Sequence, residues 1–266
     1  MKSAIRKTAI LALTTIALSS VYSVCAVSVL VDRGLPTANL NDPAGANRAN
    51  IAFSAGGYTP NDYTVLGDTF VNTSASVWSI NDIRLWSVSP LATATLLSGL
   101  AGSGVYGSTA GTISATTYAV NDANGHNNFQ AAGVMPPLYY DLWQLDFTVN
   151  ITLAPGQTYD FFLDGTGNTA TDFSGNALVV PYLHGSNAGL SGSPQQGSDG
   201  MILLADVVNG SLDPASITSE NSAQFWDKPF DFNVQVFGSV PDAGSTLALL
   251  SSALGGLALL RRRFQA

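Results

Sequence analysis

Apolar and polar residues alternate with a period of two along much of this chain. Over residues 141–151, DLWQLDFTVNI, the side chains of Trp143, Leu145, Phe147, Val149 and Ile151 share one face, and Gln144, Asp146, Thr148 and Asn150 share the other. Strict alternation of this kind marks a strand with one buried and one wet face. A Pro155-Gly156 turn follows, and TYDFFLDG resumes the pattern with Tyr159, Phe161 and Leu163 on one side. The two runs predict a hairpin, with Asp160 and Asp164 on its wet face. In SVWSINDIRLWSV, Trp78 and Ile80 keep one phase while Ile83 and Leu85 keep the other, so a bulge or short bend is expected at Asn81-Asp82. The run PFDFNVQVFGS sets Phe230, Phe232, Val234 and Val236 against Asp231, Asn233, Gln235 and Phe237. Shorter runs predict strands at 63–71, 92–98, 112–120, 177–183 and 201–207, with loops rich in Gly, Asn and Ser between them. No repeat of fixed period is present, which argues against a propeller or solenoid. The expected fold is all-β, an antiparallel β-sandwich, with a jelly roll among the arrangements it could take.

Both ends leave this pattern. Lys2, Arg6 and Lys7 precede an apolar run at 9–18, and the small-residue site Val24-Cys25-Ala26 follows. That is the layout of a secretory signal helix, cut by signal peptidase after Ala26. A lipoprotein signal is disfavoured, because Tyr22 stands where Leu is expected. Cys25 is the single cysteine and would leave with the signal. The exported chain would then have neither a disulfide nor a cysteine nucleophile or metal ligand. At the other end the apolar run 247–260 would span about 21 Å as a helix, short of a hydrocarbon core of about 30 Å. Gly255-Gly256 weakens it further, and Arg261, Arg262 and Arg263 would hold its end in the cytoplasm. The expected organisation is a signal peptide at 1–26, a sandwich at 27–239, and a terminal segment at 240–266 with one short membrane helix.

Composition sharpens the picture. Charged residues make up 11% of the chain, against roughly one quarter in ordinary globular proteins, and Glu220 is the only Glu. Asp suits turns where Glu suits helices. Of ten basic residues, six lie in the two ends, leaving Arg33, Arg48, Arg84 and Lys228 against the 17 acids outside those ends, so 4 − 17 gives −13. Such a surface repels nucleic acid and anionic lipid, so neither is expected as a partner of the body.

Candidate chemistry is sparse. His126 and His184 are the only histidines, and no nucleophile elbow, zinc helix or phosphate loop occurs. Asp141 with Asp146, and Asp160 with Asp164, are the carboxylate pairs a glycoside hydrolase would need, but on wet strand faces such groups serve solvation. No catalytic residue is assigned and no enzyme is expected. The oxygen-rich loops at 164–172 and 121–128 suggest structural calcium, yet no Glu closes either as in an EF-hand, so turns are favoured and no metal ligand is assigned. Off-phase or loop aromatics are Trp86, Tyr139, Tyr140, Phe162, Trp226 and Phe237. Of these, Tyr139, Tyr140 and Trp226 are the candidate glycan contacts, by ring stacking on a sugar face. N-x-S/T sequons stand at Asn72, Asn150 and Asn209.

The motif Val240, Pro241, Asp242, Ala243, Gly244, Ser245 and Thr246, followed by an apolar run and an Arg cluster, resembles the PEP-CTERM sorting signal and most closely its VPDSG variant. Asp242 stands where the main family has Glu, and Ala243 where the variant has Ser. The resemblance implies that an exosortase-like membrane transpeptidase cuts near the Pro-acid motif. It also implies transit through the inner membrane, then delivery to the cell surface or extracellular matrix of a cell that makes exopolysaccharide. Phrases such as LAPGQTYDFFLDG and DFNVQVFGSVPD are similar to those of sandwich domains that precede such tails. The resulting expectation is a non-enzymatic exported surface or matrix protein. The alternatives are a carbohydrate-binding module for exopolysaccharide and, behind it, an Asp-dependent glycoside hydrolase.

Overall fold

The computed structural model describes residues 27–34, 50–52, 62–87, 91–115, 128–130, 139–141, 143–166, 183–185, 199–222 and 231–240. Contacts separate a compact body, Ser28–Gly238, from a unit holding Met1–Val27 and Ser239–Ala266. The expected signal helix and membrane helix lie outside the described residues. Among the described residues no helix is long and apolar enough to cross a membrane.

The body is built of antiparallel strands. One sheet runs β1 (Ser28–Arg33), β16 (Val234–Ser239), β4 (Trp78–Ser87), β10 (Trp143–Leu153), β7 (Thr112–Ala115), with β12 (Leu183–Gly185) beside β4 and β2 (Asn50–Ala52) beside β12. The second runs β14 (Ser211–Leu212), β13 (Met201–Val208), β3 (Asp62–Val71), β11 (Thr158–Thr166), β5 (Thr93–Leu100), β6 (Gly107–Ala110), with β15 (Thr218–Asn221) also on β13. A small pair, β8 (Asn128–Gln130) and β9 (Tyr139–Asp141), stands apart.

Inward residues of both sheets form one core, a sandwich interior. Ile80, Ile83, Leu85, Leu145, Phe147 and Val234 come from the first sheet and Leu66, Phe70, Leu96, Phe161 and Leu163 from the second. The phase change in β4 lies where expected. Three steps along β10, Thr148 to Ile151, match two along β4, Asp82 to Ile80, and this shift lets Ile80 and Ile83 both face the core.

Three expectations are corrected. Residues 141–166 do not form a hairpin: β10 pairs with β4 and β7, whereas β11 pairs with β3 and β5 in the other sheet. The turn at Gly156, φ 75°, instead carries the chain across the sandwich. A reversal reads the same in sequence whether the strand it delivers joins its neighbour or the opposite sheet. What fixes the crossing is Asn72, in the other crossing segment between β3 and β4. Its N–H donates to Gln157 O (3.0 Å) and its carbonyl accepts from Gly156 N (2.8 Å). Its amide Nδ2 donates to Leu153 O and Ser76 O, both at 2.8 Å.

Secondly, the face of β11 expected to be wet is covered. Asp160 is 4% exposed and Phe162 0%. Phe162 centres a second apolar cluster on the outer side of that sheet, with Val65, Leu97, Leu203, Ala205 and Val207, and Tyr63, Tyr106, Leu212 and Ile217 pack against it. Gly67 makes room for it, since a Cβ there would stand 2.6 Å from the Phe162 ring and 2.0 Å from Phe161 O. Thirdly, Asp231 and Asn233 are buried although they alternate with apolar residues. Their burial is tolerated because each meets a polar partner, Arg33 for Asp231 and His184 for Asn233.

Candidate functional site

Among the described residues, polar side chains gather in three places besides the Asn72 crossing. The deepest lies where β1 ends and β16 begins. Arg33, 4% exposed, sends Nη1 to Asp231 Oδ2 (2.7 Å) and Asp68 Oδ2 (3.2 Å), and Nη2 donates to Thr69 O. Asp68 also accepts from the backbone N–H of Phe232 (2.8 Å) and Thr69 (2.6 Å), and Asp231 accepts from Gly200 N (3.0 Å). Burial pushes Asp68 up to about 8; Arg33 pulls it down, the Asp231 charge pushes it up, and the two N–H bonds pull it down. Two carboxylates share one guanidinium in a buried site, so the pair keeps a proton well above the usual carboxylate range. Asn233 extends the network: Nδ2 donates to Arg33 O (2.8 Å) and Gly34 O (2.7 Å), and Oδ1 accepts from His184 Nδ1 (2.5 Å). Burial drives His184 down to about 4, against the Asn233 bond, so its imidazole is neutral near pH 7. A cavity of about 310 Å³ adjoins this cluster, with Leu30, Phe70 and Trp78 as apolar walls and Arg33 and Asp231 among its polar lining.

The second place is the outer side of β11. Tyr106 Oη donates to Asp160 (2.7 Å), and Tyr63 Oη lies 3.0 Å from both oxygens of Asp164. Burial raises both carboxyls, and the tyrosine bonds oppose it. Four residues along one strand set these acids about 13 Å apart, beyond the roughly 5–9.5 Å a glycosidase pair uses. Asp164 is also bonded by Gly165 N (2.7 Å), so its oxygens are already engaged where the calcium loop was considered. The third place is the outer side of β4 and β10. Arg84 Nε meets Asp146 Oδ1 at 2.6 Å, Gln144 Nε2 meets Asp146 Oδ2 at 2.7 Å, and the guanidinium stacks 5.0 Å from the Phe237 ring centre. Burial, then the Asp146 charge, pushes Asp82 up to about 6, and Arg84 opposes this.

A cleft of about 580 Å³ opens between β5–β6 and β10, lined by Ser98, Ser108, Thr109, Thr148, Asn150 and Tyr159 among others. Tyr159 Oη donates to Ser98 Oγ at 3.2 Å. Its polar lining is thus hydroxyl and amide, with no carboxylate or imidazole.

The residues singled out from sequence fare unevenly. Trp86 and Phe162 are buried and offer no sugar platform, and Phe237 is half-buried under Arg84. Tyr139 and Tyr140 pair through β9 with Gln130 and Phe129, but their side chains, like Asp141's and Trp226, lie outside the described residues. So do Ala26, His126, Pro241, Asp242, Ala243, Gly244, Ser245, Thr246, Arg261, Arg262 and Arg263; Val240 follows β16 directly and is exposed. Of the sequons, Asn150 and Asn209 are exposed, while Asn72 is 0% exposed with its amide fully engaged. Among the described residues no group of three or more His, Cys, Asp or Glu is placed to share a metal ion. The Arg33 cluster was missed. Its one trace in the sequence is that Arg33 is among only four cations in the body.

Residues 239–264 match the VPDSG-CTERM motif model, a PEP-CTERM-like C-terminal sorting signal. No curated protein and no solved structure matches the chain.

Proposed function

We propose that this chain is an exported protein of the cell surface or extracellular matrix, with a non-catalytic β-sandwich body, handed over by an exosortase-like membrane transpeptidase. The observation that carries the reading is the sorting match at 239–264, which begins at the last residue of β16, Ser239. The signal thus follows the body with no intervening domain. Proline at 241 holds Val240 in an extended conformation, the form in which a peptide enters a protease cleft. The apolar run would stop transfer and the arginines would hold its end inside, so Pro241-Asp242 would lie at the outer membrane edge for cutting.

The body's chemistry supports a non-catalytic role. Asp160 and Asp164 are each held by a tyrosine and stand too far apart for paired acid–base work, His184 is buried and neutral, and the 580 Å³ cleft presents hydroxyls and an amide. The intact mass of the protein recovered from the cell surface tests the reading. The expected species starts after Ala26 and ends within Val240–Thr246, with or without an attached group. A surface species that still ends at Ala266 would overturn it. Replacing Arg261, Arg262 and Arg263 by Gln should leave chains unprocessed or lost to the medium.

A further inference from the structure

The first and last strands of the body are neighbours. Ser28 and Gly238 are register partners, and Ser28 Oγ donates to Gly238 O at 3.3 Å. The chain therefore enters and leaves the body at one corner. Among the described residues β16 is the only strand β1 pairs with. The two end segments also interlock below the surface. Arg33 of β1 reaches Asp231, 198 positions along the chain, and Asn233 holds the carbonyls of Arg33 and Gly34. Arg33 in turn reaches across to Asp68 on β3, in the opposite sheet. An exported chain emerges from its N-terminal side, so β1 with Arg33, and the carboxylate of Asp68, arrive long before Asp231 and β16. Until residues 231–239 are out, β1 lacks its strand neighbour and the cluster lacks one of its acids. Once they are out, nothing in the pairing requires the tail to be cut, because Ser28 and Gly238, where the chain enters and leaves the body, are register partners. Seven residues, Val240–Thr246, then separate the closed body from the apolar run, a reach of about 24 Å at full extension.

We propose that the sandwich closes while the C-terminal tail is still uncut, by β1 pairing with β16 and Arg33 docking on Asp68 and Asp231, so that the sorting step acts on an already closed body. This rests on the sorting reading above and adds to it an order of events: closure first, C-terminal cleavage second.

A disulfide trap tests the order in the full chain. Asp32 and Gln235 are register partners, with Gln235 Nε2 donating to Asp32 Oδ1 at 2.9 Å, and both lie outside the buried cluster. Directly opposed strand residues stand within disulfide range. In a Cys25→Ser background, Asp32→Cys with Gln235→Cys would be expressed in cells with and without the sorting enzyme. Non-reducing gels and C-terminal peptide mass then report crosslink and tail together. Crosslinked chains that still carry Arg261–Arg263 are expected, at the same fraction as in tail-less chains. A crosslink confined to tail-less chains, or found in neither, overturns the proposal. If the sorting reading itself fails, all chains keep their tails whatever their crosslink, so the two failures differ. Protease resistance of the tail-bearing chain without the two strand cysteines gives a second readout, and sensitivity there equally overturns the proposal. Adding Arg33→Gln should lower the crosslinked fraction of tail-bearing chains severalfold; an unchanged fraction would remove Arg33 from the closing step.

Discussion

Arg33 shows how one side chain can set the behaviour of a body this poor in cations. Its guanidinium lies within ion-pair distance of both Asp68 and Asp231, at 3.2 and 2.7 Å. Removing one member of a buried ion cluster strands the others in low dielectric, at a cost of about 3–5 kcal/mol. Arg33→Gln should therefore lower the unfolding free energy by that amount, read from the shift of the urea midpoint, and adding Asp231→Asn should recover part of the loss by deleting one buried charge. No recovery would mean that the arginine's packing matters more than its charge. The same cluster sets a pH dependence. In the folded state the Asp68–Asp231 pair holds a proton up to about 8, whereas an unfolded Asp releases it near 4, so this pair makes stability fall as pH rises through that window. His184 acts oppositely. Its folded value of about 4 lies below the unfolded 6.5, so it makes stability rise between those pH values. Below pH 6.5 the two slopes offset each other, with Asp82, at about 6, adding to the fall. Above 6.5 the Asp68 slope is no longer offset by His184. Chemical denaturation should thus show stability dropping by at most about 2 kcal/mol between pH 6.5 and 8, and Asp68→Asn should flatten that stretch.

At the level of strands and crossings, Asn72 does for the backbone what Arg33 does for charge. Both crossings at its end of the sandwich depend on it, since its amide serves Leu153 O and Ser76 O and its main chain serves Gly156 and Gln157. Asn72→Ala leaves two carbonyls without this donor and should cost about 2–4 kcal/mol in a denaturant melt, at about 1–3 kcal/mol per stranded buried group. Asn72→Asp should be no better, because a carboxylate cannot donate to a carbonyl. A loss under about 1 kcal/mol would show that water replaces the amide. These residues also mark how far the sequence could be read. Alternation located β3, β5, β10, β11 and β13 and the core faces of β4 and β10, because a half-buried strand repeats every two residues and carries that period in its own residues. It did not tell crossing from hairpin, because the choice is made by Asn72, some eighty positions away from the turn it completes. It misread Asp160, Asp164, Asp231 and Asn233 for a related reason. A polar residue looks exposed in sequence, and only its partner, here Tyr106, Tyr63, Arg33 or His184, makes burial tolerable. The sorting motif was legible since its parts are contiguous.

The whole body carries a charge that no single contact balances. Between residues 27 and 239 stand 16 Asp and Glu220 against Arg33, Arg48, Arg84 and Lys228, so 4 − 17 gives −13. Of the four cations, Arg33 is spent in the interior and Arg84 lies against Asp146 and over the Phe237 ring. Like charges spread over a compact body repel, and the compact state bears more of that repulsion than the extended chain. Salt shortens the reach of each charge from about 30 Å at 0.01 M to about 8 Å at 0.15 M. The thermal midpoint should therefore rise when sodium chloride is added across that range, the reverse of what a body held by surface ion pairs would show. Calcium offers a sharper version of the same experiment. If screening alone acts, calcium chloride and sodium chloride matched in ionic strength should shift the midpoint nearly alike, with only the slightly stronger effect of a divalent ion. A calcium shift that saturates at millimolar concentration and reverses with chelator would instead mark a bound ion, and the oxygen-rich run at 164–172 would be the place to look. The expected result is the unsaturated one, because Asp164, the first acid of that run, already accepts from Tyr63 and Gly165.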